Sequence, residues 1–228
     1  MPTSTRFRFG SFNIQTPLAG RWPQRRAGTV RVLRGALASI IACQELDYES
    51  AAYIAQGLGS RWLYQRHHQN GVFWDSRKWT WDGVVRTWNL DDGPDPKIRG
   101  LILVRLKSVK TGGVVLAGSS HLSSNTTGGS TALRLAEAKQ LAQLLKKYPA
   151  SIVGVDLNDK GASTRAALQA AGILSLRAAL AGFATGIDDV LTGPSIAPYA
   201  AAVVRNRYSD HGQGLRVSSV TPRPINQT

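Results

Sequence analysis

Short apolar runs of strand length alternate with helical periods at both ends of this chain, and its middle is a succession of strands. Arg6-Phe7-Arg8-Phe9-Gly10-Ser11-Phe12-Asn13 alternates as a half-buried strand does. Pro23 stands where a first helical turn begins, and Val30, Leu33, Leu37 and Ile41 recur at helical spacing. Because Ile40–Cys43 is short and apolar, the helix is expected to end near Ala38 and a buried strand to follow. A second helix is expected over Glu49–Leu58. Strands are expected at Val72–Trp74, Trp79–Trp88, Ile98–Leu106 and Val114–Ser119, with Asn70-Gly71 as a hairpin turn and Asp91–Pro96 as a loop. Thr131–Tyr148 reads as a helix with Leu133, Ala136, Leu141, Leu144 and Leu145 on one face. Arg134, Lys139, Lys146 and Lys147 lie outside it, and Pro149 stops it. A strand at Ser151–Val155, a short helix at Ser163–Ala171 and strands at Ile187–Leu191 and Leu215–Val220 complete the series. The pattern implies one α/β domain over 1–228, sheets inside and helices outside, with a core of about 6–220 and a tail at 221–228. No low-complexity linker and no repeat of solenoid spacing divides it.

Composition narrows the class. At 228 residues and 43% hydrophobic content the chain can bury a real core, so disorder is excluded for the whole. No apolar stretch approaches the ~20 residues of a membrane span, and no membrane partner is expected. The first residues lack an apolar signal segment, and one cysteine, Cys43, cannot pair internally; a cytoplasmic protein is expected. The formal charge is +14, with 20 Arg and 8 Lys against 14 acids, and residues 1–44 hold seven Arg and no acid. Arg forks suit phosphate oxygens, and such a field favours polyanions, although an Arg-rich solvated surface is the plainer reading.

Polar residues interrupt the apolar strands at their ends. Asn13 ends the first strand, Gln44-Glu45 ends Ile40–Cys43, and Ser120-His121 ends Val114–Ser119. Asp156 and Asn158 end Ile152–Val155, Asp188-Asp189 lies within Ile187–Leu191, and Ser209-Asp210-His211 precedes the last strand. Singly each has a plain reading: a surface glutamate, a core histidine, an Asx turn, a loop dipeptide. Together they are more than packing requires, because a buried carboxylate needs partners or a metal. No nucleophile elbow, CxxC, Walker loop or GxGxxG offers a competing chemistry.

In this order the motifs resemble the endonuclease/exonuclease/phosphatase superfamily, which includes pancreatic-type deoxyribonucleases and exonuclease III-like abasic-site endonucleases. The match runs from about residue 7 to about 220, and the Trp22 and Arg25 spacing and Asn70-Gly71-Val72 also fit. The resemblance implies a four-layered α/β sandwich, two packed mixed β-sheets flanked by helices. It implies Glu45 as the principal Mg²⁺ ligand (Mn²⁺ the alternative), with Asn13 and Asp210 close to the ion. Asp156 would position or deprotonate the attacking water beside Asn158. His211 would contact the scissile phosphate, oriented by Asp188, and His121 would be a second phosphate-contacting histidine. Three departures stand out. Asp189 follows Asp188 where an aromatic is common, so the two acids could exchange roles. Gly212 follows His211. The stretch Leu63–His68 lacks the glutamate that partners the first histidine in the deoxyribonuclease branch.

Fold alone leaves the substrate open. The arginines favour nucleic acid: Arg6, Arg8, Arg21, Arg25 and Arg26 flank the first motif, and Arg205 and Arg207 precede Asp210-His211. Arg99, Arg205 and Arg207 are candidate phosphate contacts, and Trp22, Tyr64 and Tyr208 candidate stacking residues. The expectation is a monomeric Mg²⁺-dependent phosphodiesterase on nucleic acid, DNA above all, an endonuclease of low sequence specificity. The alternatives are an enzyme of the same fold acting on a small phosphoester or lipid headgroup, and a non-catalytic nucleic-acid-binding module.

Overall fold

In the computed structural model the described residues are 4–15, 21–90, 98–124, 130–159, 163–176, 188–205, 207–211 and 213–220. The expected loop at Asp91–Pro96 and the tail at 221–228 lie outside them.

Two six-stranded sheets pack face to face. The first is built from β1 (Arg6–Asn13), β2 (Ile40–Gln44), β3 (Trp62–His67), β4 (Asn70–Asp75), β11 (Ala197–Arg205) and β12 (Gln213–Val220), ordered β11-β12-β1-β2-β4-β3. The second holds β5 (Trp79–Asn89), β6 (Gly100–Ser108), β7 (Val114–His121), β8 (Ser151–Asp156), β9 (Leu174–Ser175) and β10 (Asp188–Thr192), ordered β5-β6-β7-β8-β10-β9. Each sheet has one parallel pair, β1 with β2 and β7 with β8, and each pair is joined through a helix, as parallel neighbours require. These helices are α1 (Trp22–Gly35) and α3 (Thr131–Lys147); α2 (Tyr48–Leu58) and α4 (Ser163–Ala170) lie beside them.

Three apolar clusters separate the four layers. Phe7, Phe9, Ile40, Trp74, Trp79, Ile152, Val190 and Val217 fill the space between the sheets. Phe12, Trp22, Leu33, Ile41, Cys43 and Ile54 join the first sheet to α1 and α2. Leu101, Leu141, Leu145, Val153 and Leu191 join the second sheet to α3 and α4. Cys43 is a free, fully buried thiol, and burial pushes its pKa up. Among the described residues no helix is long and apolar enough to cross a membrane.

Period-two alternation decides what each strand offers the intersheet space. On β1 the inward series is Phe7, Phe9, then Ser11 and Asn13; on β8 it is Ile152, Gly154, Asp156. Apolar inward positions thus give way to polar ones at one end of the sandwich.

Four sequence expectations are corrected. Asn70-Gly71 is not a turn: both residues belong to β4, and the chain reverses at His68-Gln69, where His68 takes a left-handed φ of 50°. Arg134 does not lie outside α3. It is 3% exposed, near the backbone of Ser123, whose hydroxyl and amide donate to buried Glu137. The strand expected from Ile98 begins at Gly100 and runs to Ser108. Arg6 and Arg8 do not flank Asn13 in space: they begin β1 at the opposite end of the sandwich.

Candidate active site

The polar edge is built on strand register. Across the second sheet His121 of β7 pairs with Asp156 of β8, and Asp156 with Asp188 of β10, so three neighbouring strands present chemistry at one level. Facing them from the first sheet are Asn13, which ends β1, and Glu45, the residue after β2. Strand ends hold such groups more firmly than loops do.

Asn13 ties the two sheets together at this point. Its amide donates to Glu45 Oε1 and to Asp156 Oδ2, each at 2.9 Å, and its Oδ1 accepts from the Gln15 backbone at 2.8 Å. Asp156 is fully buried, and its other oxygen accepts the Asn158 backbone N–H at 2.9 Å. The Asn158 side chain donates to the Leu122 carbonyl at 2.8 Å and lies 2.8 Å from His121 Nε2. His121 Nε2 is also 3.3 Å from Asp156. The histidine that lacks the expected glutamate is therefore supported by Asn158 and Asp156 instead.

On the other flank, His211 Nδ1 lies 2.9 Å from Asp188 Oδ2, and its Nε2 lies 3.5 Å from Asp156. Alternation explains why Asp188 and not Asp189 stands here. Asp188 shares the inward face with Val190, whereas Asp189 faces the helices and accepts from Arg165 Nε at 2.9 Å and from Ser175. Asp210 stands at the rim, its side chain 57% exposed and 3.9 Å from His211 Nε2.

Backbone strain accompanies the arrangement. Gln15, Glu45 and Asn158 adopt left-handed φ values of 57°, 60° and 49°, a region that non-glycine residues rarely enter and that clusters at functional sites. Arg25 holds the surrounding chain: its guanidinium donates to the carbonyls of Ile14, Gln15 and Tyr208 at 2.9–3.1 Å, joining the segments after β1 and before His211. Burial draws its pKa down, while Asp210 and Glu45 oppose that.

Protonation at the centre is displaced. Burial, and then the charge of Asp188, push Asp156 up to about 7, against the pull of His211, the Asn158 N–H and the Asn13 amide. For His211 burial acts downward, but the hydrogen bond and charge of Asp188, with Asp156 and Asp210, raise it to about 9. Between those values a carboxylate faces an imidazolium. Such a pair can take a proton from one reactant and give one to another.

Ligand atoms of Glu45, Asp156 and His211 all lie within 4.8 Å of one another. The carboxylates of half-buried Glu45 and buried Asp156 converge there, and such oxygen donors are the type a hard divalent cation takes. A raised His211 favours its protonated form, so the oxygen donors fit the cation better than this imidazole does.

The phosphate candidates are scattered. Arg99 is 3% exposed and immediately precedes β6, whose Gly100 pairs with His121. Arg205 ends β11, exposed, and Arg207 lies over the Tyr208 ring with its Nη2 donating to the Tyr208 hydroxyl at 2.9 Å. Trp22 is core, Tyr64 stacks on Phe73, and the Tyr208 ring lies against Gly28 of α1, where a Cβ would come within 2.3 Å of it. Sequence reasoning assigned nothing to Gln44, yet its buried amide crosses the sheets to Ser119 Oγ at 3.0 Å and the Gly154 carbonyl at 3.1 Å. An amide on the inward face of an apolar strand was the available signal.

No protein-family model matches the sequence, and no curated protein matches it. The fold does recur among solved structures. An endonuclease/exonuclease/phosphatase family protein from Bacteroides thetaiotaomicron is similar at TM-score 0.79 and 16% identity, with 97% of each chain covered. A mannosyl-6-phosphatase from the same organism gives 0.75 and 15%, covering 93% of this chain and 99% of its own. D. rerio TDP2, complexed with a single-strand DNA product, gives 0.70 and 16%, covering 94% and 99%. This chain has the endonuclease/exonuclease/phosphatase fold, the α/β sandwich that the order of its motifs implied. The fold hosts nucleases and phosphatases alike, so the chemistry rests on the side chains.

Proposed function

We propose that this protein is a metal-dependent phosphodiester hydrolase acting on nucleic acid, most specifically a DNA endonuclease of low sequence specificity. One observation carries the reading: Asp188 holds His211 through Nδ1, and His211 Nε2 points at buried Asp156, itself within reach of Glu45. Asp156 takes the proton of a water that attacks phosphorus. His211 delivers its Nε2 proton to the leaving oxygen as the phosphorus–oxygen bond breaks. Asn158 and Asn13 fix the two oxygens of Asp156, and His121 contacts a non-bridging phosphate oxygen. Glu45, with Asn13 and Asp210 nearby, would hold Mg²⁺ or Mn²⁺. Such an ion supplies charge neutralisation for the pentacoordinate phosphorus. Arg99, Arg205 and Arg207 would contact phosphates.

The formal charge of +14 supports a polyanionic substrate. Similarity to TDP2 with its DNA product supports DNA among the polyanions, while similarity to a mannosyl-6-phosphatase favours a small phosphoester as the second reading. The test is hydrolysis of supercoiled plasmid, linear duplex, single strand and RNA with Mg²⁺ and with EDTA. Nicking that stops in EDTA is expected. Phosphate release from sugar phosphates without any nicking would establish the second reading instead.

A further inference from the structure

The arginines at the start of β1 stand at the end of the sandwich away from the catalytic edge, and other cations gather around them. A cleft of about 570 Å³ at that end is lined by Arg8 of β1, Arg34 of α1, Arg61 before β3, Asp75, which ends β4, and Arg77 and Lys78 in the turn that follows. Five cations thus face one acid. Asp75 is buried and lies 3.3 Å from Arg61 Nε and 3.5 Å from Arg77 Nε, so this one acid is shared between two of the five cations. Arg8, Arg34 and Lys78 make no ion pair with any described residue. A second cleft of about 340 Å³ shares Arg8, Leu37 and Lys78 and adds Arg6, which lies over the exposed Tyr199 ring. Like charges brought together from four chain segments repel one another, a cost that an anionic ligand offsets.

We propose that this cleft is a second nucleic-acid contact, gripping the phosphates of a strand whose scissile bond lies at the opposite edge. The proposal rests on the nucleic-acid reading above. Five residues of β1 separate Arg8 from Asn13, about 17 Å at ~3.3 Å per residue. At the ~3.4 Å per nucleotide of a stacked strand that span is about five nucleotides, well beyond the reach of a dinucleotide. Short substrates reach only the catalytic edge, and long ones are held at two points.

The test measures binding of a 20-nucleotide single strand and of a dinucleotide in EDTA, across a salt series. The exposed triple variant Arg8→Ala/Arg34→Ala/Lys78→Ala is compared with the wild type and with Arg31→Ala, which removes a charge from an exposed position on α1 outside the cleft. The triple variant should bind the 20-mer about tenfold more weakly, and its log–log salt slope should be shallower by about 2, at ~0.7 per lost phosphate contact. In turnover, KM should rise for the 20-mer and not for the dinucleotide, and Arg31→Ala should change neither. An unchanged slope and affinity, or equal weakening of both lengths, overturns the cleft. If strand binding falls as expected but no nucleic acid is ever hydrolysed, the substrate assignment fails and the cleft stands. If hydrolysis proceeds and the triple variant matches the wild type, the cleft fails alone.

Discussion

Asp156 carries opposed demands, and its environment makes them measurable. Buried beside Asp188 and held up at about 7, it is a carboxylate only at neutral pH and above. His211, held at about 9, remains a proton donor until that pH is passed. The kcat/KM profile should therefore rise through pH ~7 and fall through pH ~9, and His211→Asn should remove the alkaline limb. Asp156→Asn and His211→Asn should each lower kcat/KM by about 10²–10⁴ while the circular dichroism is kept. Stability follows the same shifts. A pKa raised on folding means that protons bind more tightly to the native state, so stability declines as pH rises from the ordinary value of 3.8 through about 7 for Asp156. For His211 the decline runs from 6.5 through about 9. In EDTA at pH 8, Asp156→Asn should therefore raise Tm, by about 2–4 °C for each ~1 kcal/mol of relieved burial. A lower Tm would show that the hydrogen bonds of Asp156 outweigh its buried charge.

Among the elements, the approach of the two sheets sets the geometry. Gly154 lies two residues before Asp156 and faces β1 and β2; a Cβ there would come within 2.5 Å of Ser11 Oγ and 2.7 Å of the Ala42 Cβ. Gly154→Ala should cost about 1–3 kcal/mol by denaturant unfolding and lower kcat, because spreading the sheets pulls Asp156 from Asn13. Arg25→Ala should likewise lower kcat, by freeing the backbone on either side of the site. Arg25→Lys should not rescue it, since one ammonium cannot reproduce a planar fork to three carbonyls. Elements with strong periodicity were legible: α1, α2, α3 and the inner strands start and stop within a few residues of expectation. Strand β11 was not, because its Ala-rich sequence has little intrinsic strand preference and is extended through pairing with β12. The buried Arg134 was equally hidden, since a helical period cannot reveal a polar network centred on Ser123 and Glu137.

At the scale of the molecule, five described cations line a cleft at one end of the sandwich, while Arg25 and Arg205 stand toward the catalytic edge at the other. Removing divalent ions should abolish turnover. Adding Mg²⁺ should raise Tm as a ligand of the native state does, through about 2.7 kcal/mol of added stability at a hundredfold excess over Kd. That gain should be lost in Glu45→Gln; if it persists there, the ion is held elsewhere. Total charge was readable from composition, but which cations meet was not: Arg8, Arg34, Arg61 and Arg77, from four parts of the chain, line one cleft.

The alternation of apolar strands with helical periods, a local property, already implied an α/β domain with sheets inside and helices outside, and the order of Asn13, Glu45, His121, Asp156, Asp188 and His211 carried the resemblance that named the candidate side chains. Which of two adjacent acids meets His211, what supports His121 without its expected glutamate, and where the arginines gather were decided only by tertiary structure. Each depends on strand register and on contacts between residues far apart in the chain, such as Asn13 with Asp156, and no local pattern encodes those distances.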